Sequence, residues 1–300
     1  MMAVFLTVLA ILAVLYCIGS YFFRFTLRRA RTGSGKNDSL EPMSIVKDRA
    51  FFNREDRTLH EINSFDGLSL KGYFYDRGGD TTVIMCHSYK GSPEELSGIA
   101  EALFEKGFNI LLPFNRAHGL SEGGYFTMGC RERLDLLGWA DKLNALRPEG
   151  KIALFGWSMG ANTVMGAVGE QLPENVICAV EDCGYENLYD QLKESAKTFM
   201  PGLPFTGLLV NVLDMYCRVF RGFPVRWPVR RCLERCEIPM LFIHGEADDF
   251  VPFDNLGICY EACASEKNKA AYPNAVHISS FASDPERYIS EMNDFIKRYS

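Results

Sequence analysis

The chain has 300 residues, 23% of them charged, and a formal net charge of −6; this is ample length for one large core and leaves no basic stripe of the kind that grips nucleic acid. Its ten cysteines lack the dense short spacing of a disulfide scaffold and suit a reducing compartment. Cys232 and Cys236 stand one helical turn apart, but no second Cys or His pair accompanies them, so no zinc site is expected.

The first predicted element is an apolar run. Nothing from Met1 to Phe23 is charged, and the stretch 3–19 is long enough to cross a hydrocarbon core of about 30 Å. A cleaved leader would show a basic start, a shorter apolar core and small residues at its end. None of these is clear, so 1–23 reads as a transmembrane anchor. Arg24, Arg28, Arg29, Arg31 and Lys36 follow it; by the positive-inside rule they place the rest of the chain on the cytoplasmic side, with the basic cluster at headgroup level. Residues 24–44, which include the polar run 32–39, read as a basic, flexible linker, and 45–300 as one folded domain.

Strand-like runs follow at 58–64 and 68–75, joined by the hairpin signal Asp66-Gly67, then at 82–86, 108–114, 151–155, 176–181, 240–244 and 269–272. From the third onward they alternate with helical stretches such as 93–106, 131–146 and 284–299. The pattern predicts an α/β fold whose mostly parallel sheet is covered on both faces. One segment breaks the alternation. About 184–237 is far longer than a crossover helix needs, and it holds short helices at 192–200, 207–220 and 229–236 with Phe199, Met200, Leu203, Phe205, Leu208, Leu209, Val212, Leu213 and Met215 crowded among prolines. It reads as a helical cap whose apolar inner face selects an acyl or alkyl group; the alternative is an insertion burying its own small core.

Three blocks carry chemistry. Gly156-Trp157-Ser158-Met159-Gly160 lies between an apolar run and a small-residue helical stretch, the strand, sharp turn and helix context of a nucleophile elbow. Ser158 is the expected nucleophile. A serine hydroxyl needs a base to take its proton and a carboxylate to orient that base, and with this elbow the chain order is serine, acid, histidine. Of His60, His87, His118, His244 and His277, only His277 follows the best acid candidate, Asp248, in the loop after the strand 240–244. Asp249 is the alternative, its other use being to cap a helix near Val251-Pro252; Glu246 is expected in solvent. His87 and His244, each ending a strand, and Arg116 and His118 in the block 111–123 are expected to fix loops.

Together these blocks resemble the α/β-hydrolase superfamily, in particular membrane-anchored alpha/beta hydrolase domain proteins and their bacterial relatives. The run 83–92 is similar to the family's strand and His-Gly-x-x-Gly loop, with Ser88 where glycine is usual, and 111–123 to its D-x-R-x-H-G-x-S segment, with Asn115 for the aspartate. The resemblance implies an α/β-hydrolase fold with an eight-stranded, mostly parallel sheet and an antiparallel start. It also implies an oxyanion hole made by the backbone N–H groups of Tyr89 and Met159, a Ser158-His277-Asp248 triad and no cofactor. The expected activity is cleavage of carboxylic esters or thioesters through an acyl-enzyme, on small-molecule or lipid-like substrates. A hydrolase of short peptides would use the same triad, and a non-catalytic binding protein is the third reading.

Overall fold

The computed structural model describes residues 1–29, 50–199, 202 and 204–300. The linker run 32–39, and Met200 and Leu203 of the expected cap, lie outside the described residues. In chain order the elements are α1 (Met2–Thr26), β1 (Thr58–Asn63), β2 (Ser69–Tyr75), β3 (Thr81–Cys86), a 3₁₀ turn (Pro93–Leu96), α2 (Ser97–Glu105), β4 (Asn109–Pro113), α3 (Glu132–Leu146), β5 (Lys151–Trp157), α4 (Met159–Ala167), β6 (Val176–Asp182), α5 (Leu188–Phe199), α6 (Thr206–Arg221), α7 (Arg230–Leu233), β7 (Met240–Gly245), α8 (Asp254–Ala262), β8 (Lys267–Tyr272), α9 (Ser280–Ser283) and α10 (Pro285–Tyr299).

The eight strands form one sheet in the order β1-β2-β4-β3-β5-β6-β7-β8. β1 and β2 pair antiparallel around the turn at Gly67, β2 pairs antiparallel with β4, and every later pairing is parallel. The central strands are buried on both faces, which is why they read as continuous apolar runs. Alternate residues serve opposite cores: Val83, Met85, Ala153 and Phe155 pack with α2 and α10, whereas Ile84, Ile152 and Leu154 pack with α3, α4 and α8.

A third core sits beyond the C-terminal edge of the strands. It joins Phe23 and Leu27 from the end of α1, Phe126 and Met128 from the loop after β4, and Val210, Leu213 and Tyr216 from α6, and it reaches Met159 beside the elbow. The long insertion therefore shares a core with α1 and the site loops. α1 itself runs to Thr26, past the expected end at Phe23, and residues 27–29 continue onto the body: Phe126 N–H donates to Leu27 O at 3.1 Å and Arg29 N–H to Gly124 O at 3.0 Å. Among the described residues α1 is the helix long and apolar enough to cross a membrane.

Candidate active site

Ser158 follows the last residue of β5 and precedes the first residue of α4. Its backbone sits at φ 55° and ψ −110°, a sparsely populated conformation costing about 1–3 kcal/mol that surrounding structure must hold in place. Both elbow glycines are required by close approach. A Cβ on Gly156 would lie 2.1 Å from Gly160 O, and one on Gly160 would lie 2.0 Å from Cys86 O. Two further positive-φ residues flank the site, Cys183 just after β6 and Ile278 just after His277; for a β-branched side chain this conformation is an outlier.

The structure brings the three expected side chains into one hydrogen-bonded line. Ser158 Oγ lies 2.9 Å from His277 Nε2, and His277 Nδ1 lies 2.7 Å from Asp248 Oδ2. The Asp248 side chain is fully buried and that of His277 is 16% exposed, with the His277 ring tilted against Phe250. Asp249 and Glu246 are exposed. The backbone caps expected of Asp249 belong instead to Asp248, whose Oδ1 accepts from Phe250 N–H at 3.0 Å and Val251 N–H at 2.8 Å. One carboxylate thus closes its own loop and faces the imidazole.

A second imidazole touches the same carboxylate. His244 Nε2 lies 3.0 Å from Val251 O and 3.3 Å from Asp248 Oδ2. Burial pulls His244 down, yet the hydrogen bond to Asp248 and the charges of Asp248 and Glu181 leave its pKa above the usual value. Burial alone would raise Asp248; the hydrogen bonds from His244 and His277 outweigh it and hold the carboxyl well below the usual carboxylate range. His244 therefore does more than fix a loop. Sequence order could not find it, because it precedes Asp248.

Next door, β6 ends in two buried acids. Burial pushes Glu181 up to about 8 and Asp182 up to about 6. Glu181 accepts from Gly184 N–H, and Asp182 accepts from Ser280 Oγ and the Tyr288 hydroxyl. Cys183, Asp248 and His277 offer potential metal-ligand atoms within 4.8 Å of one another. The His277 and Asp248 atoms of this set are already paired with each other and with Ser158, and burial pushes the Cys183 thiol well above its usual pKa.

Tyr89 and Met159 flank the nucleophile. Met159 opens α4, where helical geometry leaves N–H groups without intrahelical partners. In the loop after β3, Ser88 does not carry the left-handed conformation; Lys90 does, at φ 53°, and Gly91 N–H donates to Ser88 O at 3.3 Å. The loop is anchored by Glu95, which sequence reasoning missed: its half-buried carboxyl, raised to about 7 by desolvation, accepts from Ser88 N–H. His87 Nε2 accepts from Asn115 N–H, and Asn115 Nδ2 donates to His87 O, so Asn115 ties the two site loops together. Arg116 forks between Asp135 and Asp66, and His118 Nδ1 sits 2.9 Å from Arg116 O. Neither touches the serine line.

Ser158 opens into an apolar cavity lined by Tyr89, Met128, Tyr185 and Phe250, by residues of α5 and α6, and by Phe22, Phe25, Thr26 and Leu27 of α1 and its exit. No charged residue lines it among the described residues. The Tyr185 hydroxyl is buried with no hydrogen-bond partner among them.

The family model of the prolyl oligopeptidase family matches residues 115–300. Among curated proteins the chain is similar to the uncharacterized protein YqkD of Bacillus subtilis, 26% identical over 251 residues, covering 82% of this chain and 81% of the relative. It is also similar to the alpha/beta hydrolase domain-containing protein WAV2 of Arabidopsis thaliana, 23% identical over 252 residues, covering 80% and 78%. Among solved structures, the Pyrococcus furiosus esterase Pf2001 superposes with a TM-score of 0.69 at 26% identity, over 81% of this chain and 91% of that one. Est1E from Butyrivibrio proteoclasticus, solved with ferulic acid bound, shares the fold with a TM-score of 0.62 at 19% identity, over 80% and 98%.

Proposed function

The chain belongs to the prolyl oligopeptidase family, within the α/β-hydrolase superfamily, and from that premise we propose that it cleaves carboxylic ester or thioester bonds through an acyl-enzyme. The observation that carries this reading is the line Ser158, His277, Asp248 opening into an uncharged, apolar cavity. Ser158 Oγ attacks the acyl carbon while His277 Nε2 takes its proton. The N–H groups of Tyr89 and Met159 hold the oxyanion. Collapse expels the alcohol or thiol, which leaves with the proton from His277. Water, deprotonated by His277, then releases the acid and restores Ser158. Asp248 orients the imidazole and stabilises its charged form.

The family's name favours a peptidase as the second reading, but the described residues that line the cavity include no charged group to hold a peptide terminus. Residues 1–23 together with the remainder of α1 serve, in our reading, as a membrane anchor with the domain from about 45 to 300 on the cytoplasmic side, the region 24–44 as the linker whose first residues dock on the body, and 184–237 as the cap. The test uses the full chain. A fluorophosphonate probe should label it and fail to label Ser158→Ala, whose turnover of p-nitrophenyl esters should fall about 10⁴-fold or more. Equal labelling of the two proteins removes Ser158 as the nucleophile.

A further inference from the structure

Part of the cavity wall, beside the cap, is supplied by the segment that the sequence assigns to anchoring. Its attachment is specific. Thr26 O accepts from the Tyr89 hydroxyl at 2.8 Å and Phe25 O from Lys90 Nζ at 3.1 Å, so carbonyls left unpaired at the end of a helix are satisfied by the proposed oxyanion loop. Leu27 is fully buried, and the Arg29 guanidinium donates to Gly119 O at 2.6 Å and Ser121 O at 2.7 Å.

α1 runs antiparallel along α6. Tyr16 meets Phe220 with ring centroids 5.1 Å apart, Phe23 meets Tyr216 at 5.5 Å, and between them a Cβ on Gly19 would lie 2.6 Å from Tyr216 Cβ. Away from the cavity, α6 exposes Leu208, Met215 and Val219, at 60%, 42% and 68%, on the i, i+7, i+11 stripe of one helix face. Beyond the end of α6, α1 exposes Val4, Leu6, Ile11 and Val14 on a 25-residue helix long enough to cross a bilayer. Exposed apolar faces this extensive mark a contact with a membrane or a partner. The length of α1 and the exposed Arg24 and Arg28 at its end, the disposition of cations at a headgroup layer, select the bilayer.

Resting on the hydrolase reading above, we propose that the substrate is a membrane-borne ester or thioester with a long acyl chain, drawn from the bilayer along the α1–α6 wall into the cavity at Ser158. α1 then forms part of the acyl site as well as the anchor, with Phe22 and Phe25 among its specificity-determining side chains. The step needs no co-reactant beyond water: the acyl–oxygen or acyl–sulfur bond breaks and the acid is released.

The experiment compares the full chain in phosphatidylcholine vesicles with two double variants, using water-soluble p-nitrophenyl butyrate and bilayer-partitioned p-nitrophenyl palmitate. Leu208→Gln with Val219→Gln changes exposed residues outside the cavity; it should lower palmitate turnover about ten-fold and leave butyrate turnover unchanged. Phe22→Ala with Phe25→Ala should move the preferred acyl length. Equal palmitate turnover by the α6 variant, or an unaltered length preference in the α1 variant, overturns the proposal while the esterase reading stands. Absence of fluorophosphonate labelling at Ser158 would instead remove the hydrolase reading on which it rests.

Discussion

Asp248 divides its oxygens between two tasks, and the division sets what each substitution should do. Asp248→Asn keeps the size and the Oδ1 contacts to Phe250 and Val251 N–H but presents the wrong partner to His277 Nδ1. Its kcat should fall about 10⁴-fold with the fold intact by circular dichroism. His244→Phe removes the second donor to the carboxylate without touching the serine line. We expect kcat to drop about ten-fold with KM little changed, the signature of a positioning role; a raised KM with kcat unchanged would point to substrate binding instead. At this scale the sequence was informative where chain order constrained it and silent where it did not. Ser158 and His277 follow from the elbow and from the order of the histidines, and the structure places both in one line with Asp248. The choice between Asp248 and Asp249 could not be read, because adjacent carboxylates in a loop differ only in which way the backbone turns. Glu95 and His244 act through contacts that no local pattern encodes.

At the scale of elements, the end of β6 gives the fold a pH dependence. Folded Glu181 holds its proton up to about 8, raised by burial, whereas an unfolded glutamate loses it near 4.5. The folded state therefore binds the extra proton between these values, and stability falls as pH rises through that window and levels off above it. Asp182, raised to about 6, adds to the same trend at lower pH, and His244, raised above 6.5, extends it. Asp248 has the opposite sign: its depressed pKa contributes stability above about 4 that is lost only on strong acidification. Thermal unfolding of the wild type at pH 5, 6.5 and 8 should show a falling midpoint, and Glu181→Gln, which can still accept from Gly184 N–H, should flatten the upper part of that fall. An equal slope in the variant would mean that Glu181 is already ionised at pH 5. The eight strands themselves were legible, since buried parallel strands need unbroken apolar runs and the hairpin at Gly67 needs a positive φ. The third core was not. Its residues come from α1, the loop after β4 and α6, segments far apart in sequence whose apolar residues could equally have closed separate clusters.

For the molecule as a whole, α1 and the sheet are one body joined by residues 23–29. Leu27 is the buried pin of that joint. Leu27→Ala should cost about 2–5 kcal/mol, measured by thermal unfolding of the full chain in detergent, and should slow fluorophosphonate labelling, because Thr26 O and Phe25 O no longer steady Tyr89 and Lys90. Loss of stability with an unchanged labelling rate would separate the joint from the loop after β3. From sequence this joint looked like the start of a linker: basic residues after an apolar helix fit a headgroup layer equally well, and Arg29 shows its second use only once Gly119 and Ser121 are folded beneath it.

The bonds between α1 and the loop after β3 also bear on the order in which the site is made. The ribosome synthesises α1 before Tyr89 and Lys90, and those before Ser158, Asp248 and His277. Were α1 lodged in a bilayer during translation, as the proposed anchor implies, its last carbonyls would already stand in place when the loop after β3 is made, and the elbow would form later against them. Assembly then has a direction. A chain released without α1 would close that loop on Glu95 and Asn115 alone, so α1 would serve as an added template for a centre whose residues are made after it.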